Sequence, residues 1–256
     1  MEQSLCQSML SIVLGAGNIT ADLFRRHTQT EQKKGPLDLV TDGDKKANRY
    51  FIEQVLTKFP DHGVISEEEA DFNTDAEFVW VIDPIDGTLN YQRGIPSYAV
   101  ITAIRKNGEP ILGCVHNPLT ADTYVAKKNK GAYLNGVPIK CSNKKDLVDS
   151  IGYTNDSLSK FRLDFLNKLY EAVPDKSVWA SANGCTALSC AQVAEGSKDW
   201  YVCSGGGNVW DYEGTVLLLR ESGCIVTNIQ GREWKFGDGP FVAANPILHK
   251  QLMSLF

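Results

Sequence analysis

WVIDPIDGTLNY, residues 80–91, joins an apolar run directly to two aspartates, a proline, a glycine and a threonine. The apolar run predicts a buried strand, Pro84 fixes one turn dihedral, and Gly87 lets the backbone approach a ligand closely. We expect Asp83 and Asp86 to leave the edge of the sheet together on a tight turn. Two carboxylates in that arrangement can bridge hard cations such as Mg²⁺, which prefer oxygen ligands. The segment therefore predicts a metal-assisted phosphate site, with the free amides after Gly87 holding the phosphate.

Aspartate, proline and glycine are also ordinary turn formers, so the segment taken alone fits a plain loop equally well. Three further acidic clusters weaken that alternative, because each follows an apolar run or a flexible glycine run. They are DLVTDGD at residues 38–44, VISEEE at 64–69 and GGGNVWD at 205–211. Carboxylates that are separated in sequence but similarly placed indicate a shared cation site.

The four motifs, in this order, resemble the inositol monophosphatase family, part of a superfamily of Mg²⁺-dependent, lithium-sensitive phosphatases. That superfamily also contains fructose bisphosphatases and nucleotide 3'-phosphatases. The matching residues are Asp38 to Asp44, Glu67-Glu68, Asp83 to Asn90, Trp210-Asp211 with Gly214, and the closing Val242 to Pro246. The similarity spans nearly the whole chain, and chance does not explain a match of four ordered motifs.

The tetrapeptide Asp-Gly-Thr-Leu also occurs in the haloacid dehalogenase group of phosphatases. In that group the nucleophilic aspartate stands two residues before the aspartate of the tetrapeptide. Here that position is Pro84, and the extra carboxylate, Asp83, stands three residues before. Covalent aspartyl-phosphate chemistry is therefore disfavoured.

The resemblance to the inositol monophosphatase family implies two or three Mg²⁺ ions in one site. Glu67, Asp83 and the backbone carbonyl of Ile85 match the ligands of the first metal. Asp83, Asp86 and Asp211 match the ligands of the second, so Asp83 would bridge the two ions. Glu67 would also help to hold a weaker third ion through water.

The resemblance also assigns Thr88 and Asp44 to the pair that orients and activates the attacking water, with the Thr88 hydroxyl donating to Asp44. Glu67 joins them as a catalytic residue through the ion it helps to hold. The amides of Gly87 and Thr88 would hold phosphate oxygens at the start of a short helical turn. Structural alternatives stay open, since Asp44 could cap the helix that begins at Lys45 and Thr88 could cap the next one.

Substrate contacts are where the sequence departs from its relatives. Inositol-selective members have a glutamate seven residues before the aspartate of the Trp-Asp motif, and here that position is Ser204. Residues 182–187, ANGCTA, resemble the segment that faces the sugar ring, but Cys185-Thr186 stands where Thr-Ala is usual. A serine can still bond a hydroxyl group, although less strongly than a carboxylate does. The expected substrate and phosphate contacts are Asp86, Gly87, Thr88, Gly184, Cys185, Thr186, Ser204 and Asp211.

The expected activity is hydrolysis of a phosphate monoester by direct attack of a metal-activated water, with inositol 1-phosphate or a related sugar phosphate as substrate. Alternatives are a fructose bisphosphatase, a histidinol-phosphatase or a 3'-phosphoadenosine 5'-phosphate phosphatase. A nucleotide enzyme should offer a platform for the base, for which Trp179, Trp234 and Arg232 are candidates. From a different class, the chain could be a metal-dependent regulatory binding protein, although a decayed site normally loses one of its carboxylates.

Composition predicts a soluble enzyme, since the 256 residues are 43% hydrophobic and 22% charged, with a net charge of -5. We expect a single domain over residues 1–256, or two halves, 1–145 and 146–256, that meet at the active-site cleft. The mild acidity disfavours a nucleic acid polymer as partner, because such partners need clustered lysine and arginine. The expected partner is a small phosphorylated substrate, and a homodimer is the habit of the family.

Targeting signals and cysteine usage favour a cytoplasmic protein. The N-terminus lacks a basic flank followed by a long apolar core, and no run of about 18 apolar residues is present, so membrane spanning is disfavoured. The seven cysteines are scattered, with no Cys-x-x-Cys pair, which favours reduced thiols. For Cys185 and Cys190, buried core thiols are preferred over redox-sensitive ones.

Hydrophobic periodicity predicts the elements that carry the motifs. Helices are expected over residues 5–26, 45–59, 159–172, 186–195 and 211–222. Strands are expected over residues 64–65, 78–82, 98–105, 110–116, 123–126, 150–153, 200–203 and 224–228, with turns at Asn107-Gly108 and Asn135-Gly136. The predicted fold is mixed α/β, with a largely antiparallel N-terminal sheet and a second, smaller sheet. The resemblance implies that these layers form an αβαβα sandwich.

Overall fold

The computed structural model describes residues 2–26, 30–32, 39–154, 158–175 and 177–256. Asp38, the first residue of the first acidic motif, lies outside the described residues. Within these ranges the chain forms seven helices: α1 (Glu2–Leu23), α2 (Asp42–Lys58), α3 (Thr88–Arg93), α4 (Lys160–Ala172), α5 (Thr186–Ala194), α6 (Val209–Glu221) and α7 (Pro246–Met253).

The same ranges contain strands that form one large sheet, one smaller sheet and a two-stranded ribbon. The strands are β1 (Thr30–Gln32), β2 (Leu39–Thr41), β3 (Gly63–Ser66), β4 (Phe78–Asp86), β5 (Ala99–Lys106), β6 (Glu109–Asn117), β7 (Asp122–Lys127), β8 (Gly131–Leu134), β9 (Val137–Ile139), β10 (Ile151–Thr154), β11 (Trp179–Ser181), β12 (Trp200–Cys203), β13 (Ile225–Asn228) and β14 (Phe241–Ala244).

The helices and turns that the sequence predicts are present, and the helix ends differ by at most three residues. Helices α2 and α6 begin earlier than expected, because Thr41 and Asn208 are N-caps that pair with an aspartate three residues later. Both predicted Asn-Gly turns join antiparallel strands and have positive φ at each residue. Periodicity missed β1, β2, β8, β9, β11, β14 and α7, which are short segments that carry too few residues to show a repeat.

Helices and sheets alternate in five layers, which confirms the predicted αβαβα class. Helices α1 and α2 pack on one face of the large sheet through a core that includes Met9, Phe51 and Trp80. Helices α5 and α6 fill the space between the two sheets, and α4 and α7 cover the outer face of the smaller sheet around Phe165 and Trp200. The division into halves at residues 145 and 146 stays a prediction.

Helix α1 is long and apolar enough over Gln3–Leu23 to cross a membrane, by length and composition alone. The segment is not an unbroken apolar run, because polar residues interrupt it and its apolar average comes from a scarcity of charges. That membrane spanning is disfavoured stays a prediction. In the structure Met9, Ile12 and Val13 are fully buried against the large sheet and α2. Helix α1 therefore serves as a core helix of this fold.

The large sheet has the order β3-β4-β5-β6-β7-β8-β9 and is antiparallel except at its first pair. Strands β3 and β4 are parallel, with Ser66 paired to Ile82. Because parallel strands end at the same edge of a sheet, the residues that follow β3 emerge beside the end of β4. The prediction of a largely antiparallel sheet is confirmed, and its one parallel pair carries two of the acidic motifs.

The smaller sheet has the order β11-β10-β12-β14-β13 and is mixed. Strand β10 is parallel to β11 and to β12, whereas β14 is antiparallel to β12 and β13. The parallel pairs follow from the helical crossovers α4 and α5, since parallel neighbours cannot be joined by a tight turn. This arrangement brings the ends of β10 and β12 toward the start of the helices that lie between the sheets.

A close approach between α6 and the large sheet sets the position of the helix. A Cβ on Gly214 would lie 2.9 Å from the carbonyl oxygen of Thr102, and one on Gly113 would lie 2.7 Å from the carbonyl oxygen of Gly214. A larger residue at either glycine would push helix and sheet apart. The first turn of α6, with Asp211, is thereby held against the strands that carry the other acidic residues.

Candidate metal centre

A bulge in β4 brings Asp83 and Asp86 to the same side of the large sheet. In a regular strand, residues three apart point to opposite faces. Here Asp83 is paired with Ile101 and Asp86 with Ala99, so β4 has one residue more than β5 over this stretch. The bulge contains Pro84, which cannot donate to the ladder. The expected tight turn is therefore wrong, because the strand continues through the bulge to Asp86.

Asp83, Asp86 and Asp211 form an acidic cluster in which one carboxylate oxygen of each residue lies within 4.8 Å of the other two. Asp83 is only 1% exposed, and the other two residues are half-buried. Burial raises the pKa of the Asp83 carboxyl well above its usual range, and the charges of Glu67, Asp211 and Asp86 raise it further. A bound cation would relieve both the burial and the repulsion.

The first turn of α6 orients Asp211. Asn208 is the N-cap of this helix, and its backbone N–H donates to Oδ2 of Asp211 at 2.5 Å. This capping box engages one carboxylate oxygen and fixes the orientation of the side chain. Burial, followed by repulsion from Asp86, raises the pKa of Asp211 to about 7.

Glu67 lies at the end of β3, next to the acidic cluster. Its N–H donates to the carbonyl of Ile82 at 3.3 Å, which aligns Glu67 with Asp83 across the parallel pair. The preceding residue, Ser66, donates its hydroxyl to the side chain of Asn48 on α2. Glu67 is not one of the three residues whose oxygens lie within 4.8 Å of one another. Its charge still raises the pKa of Asp83, so the carboxylate lies at the border of the cluster.

Asp44 uses its two carboxylate oxygens for different contacts. Oδ2 accepts hydrogen bonds from the Thr41 N–H at 2.7 Å and from the Thr41 hydroxyl at 2.5 Å. Oδ1 lies 3.5 Å from the Thr88 hydroxyl. Asp44 therefore caps α2 from the third helical position and faces Thr88 as well. Burial raises the pKa of Asp44 to about 7, against the opposing effect of the Thr41 hydrogen bonds.

The Thr88 hydroxyl lies between Asp44 and the carbonyl of Ile85. Its contact with the Ile85 oxygen is 3.0 Å, shorter than the 3.5 Å contact with Asp44, so the hydroxyl donates mainly to the carbonyl. The alternative in which Thr88 caps the following helix is wrong. Gly87 is the N-cap of α3, and Thr88 is the first residue of that helix.

Gly87 and Asn90 join the acidic strand to the loop before α5. Gly87 has a φ of 91°, and a Cβ there would lie 3.0 Å from the carbonyl oxygens of Ser97 and Gly184, so only glycine fits. The Asn90 amide donates to the carbonyls of Ser97 and Asn183, each at 2.8 Å. The motif alone assigns Asn90 no role, because its partner Asn183 is distant in sequence.

Asp86 connects the acidic cluster to the N-terminus of α5. Its Oδ2 accepts the Ala187 N–H at 2.6 Å and the Cys185 thiol at 2.9 Å. Cys185 is the N-cap of α5 and is buried, so its thiol supports Asp86. Gly184 and Thr186, which flank it, are half-buried. Cys190 is fully buried on the same helix, in accordance with the preferred structural role of this thiol.

Ser204 follows β12 and begins the glycine run that leads to α6. Ser204 is half-buried, and Gly206 is exposed with a φ of 94°. The N–H of Gly207 donates to the Tyr212 hydroxyl at 3.2 Å, which ties the run to the first turns of α6. The sequence pattern does not indicate this tyrosine, because the contact joins residues whose proximity depends on the loop conformation.

Of the three side chains considered as a nucleotide platform, one is excluded. Trp234 is only 4% exposed, and its indole N–H donates to the carbonyl of Gly239 at 2.9 Å. The side chain of Trp179 is 67% exposed, and Arg232 is exposed as well. A base could therefore not stack on Trp234 without rearrangement of the core.

The donor set fits Mg²⁺. The residues that converge are carboxylates, and hard divalent cations prefer such oxygen ligands. The Ile85 carbonyl, between Asp83 and Asp86 in the chain, accepts the Thr88 hydroxyl. Asp86 and Asp211 each have one oxygen engaged by a helix N–H, which fixes the side-chain orientation in advance of binding.

Comparisons with known proteins give one consistent result. The model of the inositol monophosphatase family matches residues 2–256. A fructose-1,6-bisphosphatase/inositol-1-monophosphatase of Thermotoga maritima is 29% identical over 96% of this chain and 93% of its own. The Nus factor SuhB of Pasteurella multocida is 31% identical over 93% of this chain and 90% of its own. The solved structure of a Thermotoga maritima IMPase is 28% identical, with a TM-score of 0.88 over 100% of this chain and 96% of that one.

These similarities extend across both sheets and all the acidic motifs. They support a phosphatase of the inositol monophosphatase and fructose bisphosphatase superfamily. One of the three relatives carries a name that is not that of a phosphatase.

Proposed function

The chain belongs to the inositol monophosphatase family, and we propose that it is a Mg²⁺-dependent phosphate monoester hydrolase. Its proposed substrate is inositol 1-phosphate or a related sugar phosphate. The observation that carries the proposal is the cluster of Asp83, Asp86 and Asp211, whose oxygens lie within 4.8 Å of one another. Three carboxylates at this separation repel each other unless a cation lies between them.

We propose that two or three Mg²⁺ ions bind here, with Glu67, Asp83, Ile85, Asp86 and Asp211 as their ligands. When bound, these ions would neutralise charge on the phosphate and lower the pKa of the attacking water. As the family resemblance implies, Asp83 would be a ligand of both ions, and it is the most buried member of the cluster. Glu67 would be a Mg²⁺ ligand at the border of the cluster.

Asp44 and Thr88 would hold the attacking water. Oδ1 of Asp44 faces Thr88, while Oδ2 is engaged by Thr41, so the carboxylate is fixed with one oxygen directed toward the site. Thr88 would orient the water through its hydroxyl, and Asp44 would accept its proton. The amides of Gly87 and Thr88 would bind phosphate oxygens at the beginning of α3.

The substrate end of the site would be formed by Gly184, Thr186 and Ser204. Ser204 stands where inositol-selective relatives have a glutamate, so a hydroxyl of the substrate would meet a neutral partner. Neutral hydrogen bonds are weaker than charge-assisted ones, which favours a broader sugar-phosphate preference than strict selectivity for inositol. The Cys185 thiol would act indirectly, by fixing Asp86.

Phosphate release from a panel of substrates tests the proposal. The panel contains inositol 1-phosphate, fructose 1,6-bisphosphate, histidinol phosphate and 3'-phosphoadenosine 5'-phosphate, each with Mg²⁺ and with a chelator. We expect Mg²⁺-dependent release from inositol 1-phosphate or fructose 1,6-bisphosphate, and inhibition by lithium at a magnesium position. Release that is equally fast in chelator would contradict the metal mechanism.

A regulatory binding protein is the second candidate, because one relative at 31% identity is named Nus factor SuhB. The same panel separates the two functions. If no member of the panel is hydrolysed while Mg²⁺ still binds, the non-enzymatic candidate is favoured. The complete acidic cluster favours the phosphatase.

A further inference from the structure

Cys141 and Cys224 form a thiol pair far from the acidic cluster. Cys141 lies in the segment that follows β9, and its backbone N–H donates to the carbonyl of Ser222 at 3.0 Å. Cys224 lies two residues beyond Ser222, between α6 and β13. A Cβ on the intervening Gly223 would lie 3.7 Å from the sulfur of Cys141. These contacts place Cys141 against residues 222 and 223, directly before Cys224 in the chain.

The two thiols differ in exposure and in acidity. Cys141 is half-buried, whereas Cys224 is only 6% exposed. The thiol of Cys224 hydrogen-bonds that of Cys141, and this contact lowers the pKa of Cys141. The same hydrogen bond and burial raise the pKa of Cys224 well above its usual range. Redox-responsive cysteines share this pattern of an accessible, more acidic thiol beside a second thiol that resolves it.

We propose that Cys141 and Cys224 are a peroxide-responsive pair that forms a reversible disulfide. The Cys141 thiolate attacks a peroxide, and its sulfur is oxidised to a sulfenic acid while the O–O bond breaks and one oxygen leaves as hydroxide. The Cys224 sulfur then attacks the sulfur of the Cys141 sulfenic acid. This step forms the S–S bond and releases water. Two thiols are oxidised and one peroxide is reduced to two molecules of water.

The disulfide would join the end of α6 to the segment after β9, which continues from the large sheet. Asp211 lies in the first turn of α6, and Cys224 follows the last, so the two sites are about 15–20 Å apart along the helix. The oxidation therefore needs neither a bound metal nor the proposed hydrolase activity. A covalent link between distant parts of the chain restricts the unfolded state, so the oxidised protein should also melt at a higher temperature.

Cys6 and Cys114 give a matched control within the same chain. They are neighbours, since the charge of Cys6 contributes to raising the pKa of Cys114, but burial is the larger cause. Both side chains are buried, with 4% and 1% exposed. Neither member of this pair is accessible, so we expect it to stay reduced.

The test treats the full-length reduced protein with one equivalent of hydrogen peroxide and maps the non-reduced peptides by mass spectrometry. We expect two of the seven thiols to be lost, a peptide linking residues 141 and 224, and recovery of both thiols with dithiothreitol. In Cys224→Ala, Cys141 should stop at the sulfenic acid and be trapped by dimedone. In Cys141→Ser, Cys224 should stay reduced, and Cys6→Ser should leave the linked peptide unchanged.

Three results would overturn the proposal. They are a wild-type protein in which Cys141 proceeds to sulfinic acid without a link to Cys224, equal oxidation of the Cys6 and Cys114 pair, and oxidation of Cys224 in Cys141→Ser to the same extent as in wild type. If Cys224→Ala does not fold, Cys224→Ser provides the same trapping experiment with a hydroxyl in place of the thiol.

Discussion

The acidic cluster and the substrate-facing segments differ in how they are built. Asp83 and Asp86 lie in a strand, and Asp211 and Asp44 lie in capping boxes at the start of helices. The substrate-facing residues lie in loops, at 183–185 before α5 and at 204–207 before α6, except for Thr186, which begins α5. Strand and helix backbone holds the acidic cluster, whereas loop backbone holds most of the substrate-facing residues.

This difference indicates that the fold fixes the acidic cluster, whereas the choice of substrate can change. A carboxylate in a capping box cannot move without loss of the helix start, so the cluster is tied to the stability of the protein. A polar side chain in a loop, such as that of Ser204, can be replaced at little structural cost. We therefore expect changes in the cluster to abolish turnover and changes in the loops to alter the choice of substrate.

The largest expected effect comes from Asp83→Asn. This change removes the charge that would bridge two ions, and a metal contributes several kcal/mol of transition-state stabilisation, so kcat should fall by about a thousandfold or more. Phosphate release from the best panel substrate measures it. Asp71→Asn, at an exposed aspartate, is the control and should keep its activity. Comparable kcat values in Asp83→Asn and wild type would refute the role of the cluster.

Ser204→Glu should change substrate preference without abolishing turnover. A carboxylate at this position would accept charge-assisted hydrogen bonds from ring hydroxyls, so kcat/KM for inositol 1-phosphate relative to fructose 1,6-bisphosphate should rise by about tenfold to a hundredfold. Ser204→Gln, of similar size and no charge, is the control. An unchanged ratio in Ser204→Glu would show that residue 204 does not meet the substrate.

Asn90→Ala tests the link between the two regions. The change leaves the carbonyls of Ser97 and Asn183 without the amide that donates to both, which should lower the free energy of unfolding by about 1–3 kcal/mol. KM should rise more than kcat falls, because the loop before α5 would loosen while the cluster stays intact. Denaturant unfolding and steady-state kinetics measure the two effects. A variant as stable as wild type would contradict the cross-link.

The metal-free protein should lose stability as the pH rises from about 4 to 7. Burial raises the pKa of Asp44 and of Asp211 to about 7, so the folded state holds protons that the unfolded state has released. Stability falls with pH wherever the folded state binds more protons. Melting temperatures in chelator at several pH values should show this slope, and Mg²⁺ should flatten it by binding the ionised carboxylates. Asp44→Asn should reduce the slope in chelator.

The smallest expected effect is that of Cys185→Ser. A hydroxyl is a better N-cap than a thiol and can still donate to Asp86, so the free energy of unfolding should rise by up to about 1 kcal/mol. The change in kcat/KM should be smaller than in Asp83→Asn, Ser204→Glu or Asn90→Ala. Cys190→Ser, on the same helix but fully buried in the core, is the comparison and should be destabilised. A loss of stability in Cys185→Ser would show that packing of the sulfur outweighs the cap.

Local signals were sufficient to predict the strand before Asp83 and the helix after Asp44, because periodicity and turn residues are encoded within short windows. The layered αβαβα class followed from the resemblance of the motifs to a known family. The bulge at Pro84 was not predicted, since it depends on the register between β4 and β5. Asp211 was recognised from its motif, but its closeness to Asp83 depends on α6 lying against the sheet at Gly214. The role of Asn90 depends on a contact with Asn183, which is distant in sequence and is brought near only by the folded chain.

Direct measurement of Mg²⁺ binding by titration calorimetry, on wild type and on Asp83→Asn, tests the central claim most directly. The acidic cluster is expected to bind at least two ions per chain in the wild type, and Asp83→Asn is expected to lose both. A wild type that binds no Mg²⁺, or an Asp83→Asn variant that binds as many ions with the same affinity, would contradict the proposed metal centre.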